Sequence, residues 1–309
     1  MRTILYTHAS SLEHEMGPGH PESPDRLRAI DKALAQPRFA KLERREASAA
    51  GPEEITRAHA DRYYDALVAA APREGYVQLE ADALMNARTL EAARFAAGLA
   101  VAAVGAVMSG EADTAFVAAR PPGHHAGPSF PMGFCFFNNV AIAARTAIAA
   151  HGAERVAIVD FDVHHGNGTQ EIFWDDKNVL YCSTHQAPFY PGTGARSETG
   201  AHDNILNLPL PAGADGDVFA DAFAEAILPR VKAFAPDLIL ISAGFDAHAK
   251  DPLGGLRLKE RDYSEVTKRL LDLADRCCER RLVSLLEGGY DLDALAASAA
   301  EHVAALMGA

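Results

Sequence analysis

The sequence predicts an α/β fold in which a mostly parallel sheet is covered by helices on both faces. Three observations carry this. Seven short runs rich in β-branched and aromatic residues recur along the 309 residues. Ala-rich segments of helical character lie between most of them, and alternation of strand with helix is the signature of parallel pairing. Four of the runs end in clusters of Gly, Pro, His and Asp, and the carboxyl ends of parallel strands are where such sheets bind ligands.

The elements follow in order. RTILYT (2–7) is the first strand. A polar, Pro- and Gly-rich loop, HASSLEHEMGPGHPESPD (8–25), is longer than an ordinary connection, which favours a functional lip. A helix over about 25–36 precedes an Ala-rich helix over about 88–109. The apolar part of the latter, 92–108, is short of a full membrane span and contains Arg94, so it reads as a buried core helix. The strands TAFVAA (114–119), RVAIVDF (155–161), VLYCST (179–184), ILNLPL (205–210), LILISA (238–243) and LVSLLE (282–287) follow, with helices over about 139–151, 217–235, 260–280 and 291–307. No repeat, low-complexity linker or shift in composition divides the chain, and residues 1–309 read as a single domain.

The formal net charge of −13 argues against nucleic acid as a partner, since non-specific binding needs basic surface. It suits a soluble acidic protein and tolerates a cationic ligand. The four cysteines form no CxxC pair, and MRTILYTHAS lacks a long apolar leader, so free thiols in a reducing cytoplasm are expected, with no membrane partner.

The chemistry collects at VDFDVHHGNG (159–168), where a strand-like run ends in charge. In extended backbone Asp160, Asp162 and His164 share one side while Val159, Phe161 and Val163 take the other. A carboxylate and an imidazole on one face are half of a site for a borderline divalent ion such as zinc, and Asp246, in GFDAH after another strand, is the best-placed third ligand. His124 and His125 follow the stiff Pro121-Pro122-Gly123 and are candidates for proton transfer. Tyr290 could donate a hydrogen bond to an oxyanion, with Gly288 and Gly289 before it removing side chains that would shield it.

RPPGHH, GFCFFNN, VDFDVHHGNGTQ, FYPGTG, GFDAHAKDPLGG and EGGYD, in that order over nearly the whole chain, resemble the histone deacetylase superfamily, in particular its class II-like bacterial histone deacetylase and acetylpolyamine amidohydrolase members. The resemblance implies the arginase/deacetylase fold, with a sheet of about eight strands, and zinc-dependent removal of an acyl group from an amine. The implied zinc ligands are Asp162, His164 and Asp246, with iron or cobalt as substitutes. His125 is implied as the general base, His124 as its charged partner held by Asp160, Asn167 as the group that orients His125, and Tyr290 as the oxyanion donor. Gly133, Phe134, Tyr190, Leu253 and Gly288 are the implied substrate contacts, and Arg26 the arginine of an internal acetate channel. A structural potassium ion is implied, held largely by the main-chain carbonyls of Asp160, Asp162, His164 and Thr184 together with the Ser183 hydroxyl. Since Asn167 is neutral, it stabilises an imidazolium less than a carboxylate does, so His125 is expected to be the less basic of the two histidines. The segment EADALMNARTLEAA (80–93) keeps Asp82 but lacks the Pro-Gly helix start common in class II relatives.

The implied partner is an acylated lysine in a protein or peptide, or a small acylated amine. Leu253 stands where acetylpolyamine-cleaving relatives place a glutamate, which favours acyl-lysine; acetylpolyamine deacetylation is the alternative. A binuclear manganese ureohydrolase is disfavoured because Asp246-Ala-His248 replaces its Asp-x-Asp. A non-catalytic acyl-ligand sensor is disfavoured by retention of both histidines and the tyrosine. A homo-oligomer is compatible with the sequence.

Overall fold

The computed structural model describes residues 1–308. The first half of the chain forms β1 (Thr3–Tyr6), α1 (Asp25–Leu34), β2 (Glu43–Arg45), α2 (Pro52–Ile55), α3 (Asp61–Ala70), β3 (Tyr76–Glu80), β4 (Ala83–Asn86), α4 (Thr89–Met108), β5 (Thr114–Val117) and α5 (Asn139–His151). The second half adds β6 (Val156–Asp160), α6 (Asn167–Ile172), β7 (Val179–Gln186), β8 (Ile205–Leu210), α7 (Gly216–Ala222), α8 (Leu228–Phe234), β9 (Leu238–Ala243), α9 (Glu260–Cys277), β10 (Leu282–Leu286) and α10 (Leu292–Leu306). All seven strands read from sequence are present, and with β2 they form one eight-stranded sheet in the order β2-β1-β5-β10-β9-β6-β7-β8. Every pairing in it is parallel.

Alternation along each strand feeds two cores, one per face. Val159, Phe161, Phe116 and Ile241 pack on one side, with α1, α9 and α10 contributing Leu27, Leu270 and Val303. Ile158, Val117 and Leu240 pack on the other, where α4 and α5 contribute Leu99 and Ile142. Helix α4 is long and apolar enough to cross a membrane, but most of it is buried inside the protein, as its Ala-rich composition suggests.

Several elements escape the sequence pattern for identifiable reasons. β2 is Glu-Arg-Arg, a three-residue edge strand whose charges face outward and carry no apolar signal. The β3–β4 hairpin is antiparallel, and β3 is mostly exposed, so no buried stripe announces it. The helix expected over 217–235 is α7 and α8 joined by a π-helical turn, Phe223–Ile227. Pro229 at the start of α8 has no N–H to give, and the wider turn absorbs the lost bond.

Candidate active site

Strand order decides the site. The four strands that end in polar loops, β5, β10, β9 and β6, are adjacent at the centre of the sheet, so their carboxyl-terminal loops meet. β6 ends at Asp160, but the alternation continues: Phe161 and Val163 join the core while Asp160, Asp162 and His164 turn toward the loops.

Asp162 Oδ1 accepts the His164 N–H at 2.9 Å, and its Oδ2 accepts the Gly288 N–H at 2.8 Å. Asp246 Oδ1 accepts the Val163 N–H at 2.9 Å. His164 Nδ1 lies 3.1 Å from Asp162 Oδ1 and 3.2 Å from Asp246 Oδ2. One ligand atom from each of the three residues lies within 4.8 Å of the others. Asp246 Oδ2 is buried with no hydrogen-bond partner, and burial followed by the charge of Asp162 pushes the Asp246 carboxyl upward. Two carboxylates brought together out of water need a compensating cation, and the donor set fits a divalent ion with positions left open.

Gly288, expected as a substrate contact, also lies against the ligand carboxylates. A Cβ at this position would collide with Asp246 Oδ2 and come within 2.6 Å of Asp162 Oδ2, so the glycine makes room for the ligand carboxylates.

His124 and His125 are buried side by side, with ring centroids 4.0 Å apart, but face different partners. His124 Nδ1 is 3.0 Å from Asp160 Oδ2, which Tyr181 also contacts at 3.0 Å. Burial alone would lower His124, but the Asp160, Asp162 and Glu287 carboxylates raise it to about 10, so it is charged at neutral pH. His125 Nδ1 is 2.8 Å from Asn167 Oδ1, and the Asn167 amide is oriented by Nδ2, which lies 3.3 Å from Met132 Sδ. Nδ1 therefore carries the proton and Nε2 the lone pair. Burial, then the charges of His124 and His164, hold His125 well below the usual imidazole range.

These groups border a cavity of about 450 Å³ lined by His125, His164, Tyr290, Gly133, Phe134 and Tyr190, with Phe189, Asp82 and residues 252–255 completing the wall. Gly133 and Phe134 both have left-handed backbone, and a Cβ on Gly133 would collide with the His125 ring. Tyr190 stands edge-on to His125 at 5.3 Å, and Phe189 stacks on His164 at 5.4 Å. Phe134 faces Tyr290 edge-on at 6.0 Å. Leu253 contributes an apolar lip. Asp82 lies in the β3–β4 turn, and its carbonyl accepts the Phe134 N–H at 3.0 Å.

Arg26 is fully buried behind Tyr290, its guanidinium 4.9 Å from that ring, and donates to the Gly289 and Glu287 carbonyls. It belongs to a buried cluster in which Glu22 pairs with both Arg26 and Arg120 while His14 lies 3.2 Å from Glu22. Part of the 8–25 loop is folded inward as structure, while His20, edge-on to Phe134 at 4.8 Å, reaches the cavity wall. Ser183 Oγ is 2.9 Å from His185 Nδ1, and His185 Nε2 is 3.0 Å from the Gly194 carbonyl, so Ser183 donates and keeps its lone pairs free. Thr184 Oγ1 is buried without a partner, but in the extended β7 it points to the face opposite Ser183, so only the Thr184 main-chain carbonyl, not its hydroxyl, belongs with the implied potassium donors.

Sequence reading missed Glu287 and Phe189. Glu287 is fully buried; Oε2 accepts the Gly123 and His124 N–H groups at 2.7 and 3.1 Å, and Oε1 accepts the Ser242 hydroxyl at 3.1 Å. It fixes the histidine loop. A lone charge closing LVSLL was the available signal.

A family model described as "Histone deacetylase domain" matches residues 20–306. "Histone deacetylase-like amidohydrolase" of Pseudomonas aeruginosa is 41% identical over 277 residues, 88% of this chain and 73% of that protein. "Histone deacetylase 14, chloroplastic" of Arabidopsis thaliana is 39% identical over 325 residues, 99% of this chain and 77% of the relative. A crystal structure of the HDA15 HD domain superposes with a TM-score of 0.91 at 39% identity, covering 98% of this chain and 88% of the other.

Proposed function

The chain belongs to the histone deacetylase domain family of amidohydrolases, and on that premise we propose that it removes an acyl group, in the first place acetyl, from the side-chain amine of lysine. The observation that carries this reading is the junction of His125, the Tyr290 phenol and His164 of the Asp162–His164–Asp246 cluster on one largely apolar cavity. Zinc is the ion proposed for Asp162, His164 and Asp246, with iron or cobalt as substitutes; when bound it supplies Lewis acidity, polarising the carbonyl and activating water near neutral pH. Potassium is proposed for the oxygen site at Asp160, Asp162, His164, Ser183 and Thr184.

The chain's own groups do the rest. His125 Nε2 accepts the proton of the attacking water and later returns it to the leaving amine. His124, held charged by Asp160, adds positive potential where negative charge develops and keeps its neighbour neutral. The Tyr290 phenol, which burial holds well above its ordinary pKa, stays protonated and donates to the carbonyl oxygen as it becomes an oxyanion. Phe134 and Tyr190 clamp the methylene chain, and Leu253 favours a substrate without a charge at the lip. Asp82, an acidic wall residue, supports acetylpolyamine cleavage as a second reading, because a carboxylate suits an inner ammonium.

The test is Tyr290→Phe on an acetyl-lysine peptide. Turnover should fall about 10²–10³-fold, the cost of one oxyanion donor, with metal content unchanged; an unaffected rate rejects the role. Comparing kcat/KM for acetyl-lysine peptides, acetylpolyamines and longer acyl-lysines decides the substrate, and a polyamine preference above about tenfold (~1.4 kcal/mol) overturns the lysine assignment.

A further inference from the structure

Asp251 carries none of the chemistry described above, yet its carboxylate joins two of the loops that build the site. It is buried, 7% exposed, in the loop that leaves β9. Oδ1 accepts the Leu253 N–H at 2.9 Å and closes the turn that sets the cavity lip. Oδ2 accepts the Tyr290 N–H at 2.6 Å and the Asp291 N–H at 3.2 Å, across to the loop that leaves the adjacent strand β10. All three partners are main-chain donors, so the carboxylate fixes backbone position. An ionised acceptor makes such bonds short and strong.

The tyrosine loop needs this restraint. Tyr290 follows Gly288-Gly289, and Gly289 has φ +123, so the segment before the phenol is conformationally permissive. On the other side Asp291 caps α10 by accepting from Ala294 N–H at 2.8 Å. Between a loose glycine pair and a fixed helix start, the Asp251 bond to the Tyr290 N–H is what ties the tyrosine to the lip.

We propose that Asp251 is a positioning residue that sets the Tyr290 phenol against the cavity lip, a role that rests on the deacylase reading. An asparagine cannot substitute fully. Donors converge on both oxygens, so whichever way the amide turns, its NH₂ faces a main-chain N–H.

The experiment uses the metal-loaded full chain. Asp251→Asn should lower kcat about tenfold or more and Asp251→Ala further, with zinc content retained, because small misplacements of a reacting group are costly. In a Tyr290→Phe background the Asp251→Ala loss should shrink to about twofold or less, since residues acting as a unit are not additive; an undiminished loss overturns the proposal. Hydrogen exchange supplies a readout that needs no substrate. The amides of Leu253, Tyr290 and Asp291 should lose protection in Asp251→Asn while β9 and β10 keep theirs, and retained protection overturns the strut. If the wild-type chain hydrolyses no acylated amine, the deacylase reading fails, and with it the catalytic meaning of the strut, while exchange still judges the geometry.

Discussion

Replacing Asn167 by Asp tests the division of labour between the two histidines. The substitution keeps an oxygen 2.8 Å from His125 Nδ1 but makes it a carboxylate. At an effective dielectric of about 20, unit charges at that separation attract by roughly 6 kcal/mol. The new carboxylate also loses solvation in a part-buried site, so the net effect should be a rise of about 1–3 pKa units for His125, or roughly 1.4–4 kcal/mol. The sign follows from the role. A general base must be unprotonated, and in the wild-type chain burial, followed by the charge of His124 and the neighbouring His164, holds His125 well below the usual imidazole range. Raising its pKa moves the acidic limb of the kcat/KM profile upward, so the variant loses most activity at the acid end and recovers as pH rises. The assay is kcat/KM on an acetyl-lysine peptide from about pH 5.5 to 9, at constant metal occupancy. A limb that stays in place or moves to lower pH would refute His125 as the base.

Three further outcomes are expected. Gly288→Ala should lower zinc affinity about 10–100-fold, because the added Cβ collides with Asp246 Oδ2; metal titration of the folded variant measures this, and unchanged affinity refutes the packing argument. Leu253→Glu should shift kcat/KM toward acetylpolyamines by about 10–100-fold, the equivalent of one charge-assisted bond, as read by direct competition between the two substrates. Acid should destabilise the fold early. His59 donates from Nδ1 to the Gly127 carbonyl at 2.9 Å and accepts the Asn138 N–H at Nε2 at 2.8 Å, so only the neutral ring fits. Burial lowers its pKa to about 4, and lowers His185 to about 4 and His302 to about 3. Each such histidine contributes stability that is present above its unfolded pKa of about 6.5 and is lost as pH falls toward the folded value. For His59 alone the loss is of the order of 3 kcal/mol. Thermal melting between pH 7 and 4.5 checks it, and a flat Tm across that range would contradict the assignment.

How much of this was legible beforehand varies by residue. The central strands were readable because parallel strands buried on both faces are continuous apolar runs, and Val159-Asp160-Phe161-Asp162 shows its alternation directly. β2 was unreadable because an edge strand of Glu-Arg-Arg has no buried face to mark it. Asp162 and His164 announced themselves by spacing within one strand end. Asp246 was readable as the single carboxylate after another strand, whereas Glu287 was not; each matters because β9 and β10 lie between β5 and β6. Gly288 was seen, but its making room for the ligand carboxylates was not, since a glycine's reason is the atom that its missing Cβ would meet.

Sequence by itself determined the layer architecture, the family resemblance and the inventory of chemical groups, since periodicity and ordered motifs are properties of local stretches. Tertiary structure alone decided which of those groups meet. Strand order brings four loops from distant parts of the chain onto one cavity. Contact between the β5 and β6 strand ends gives His124 a carboxylate and His125 an amide, and the difference in charge between those two partners separates the basicities of two histidines that are neighbours in sequence.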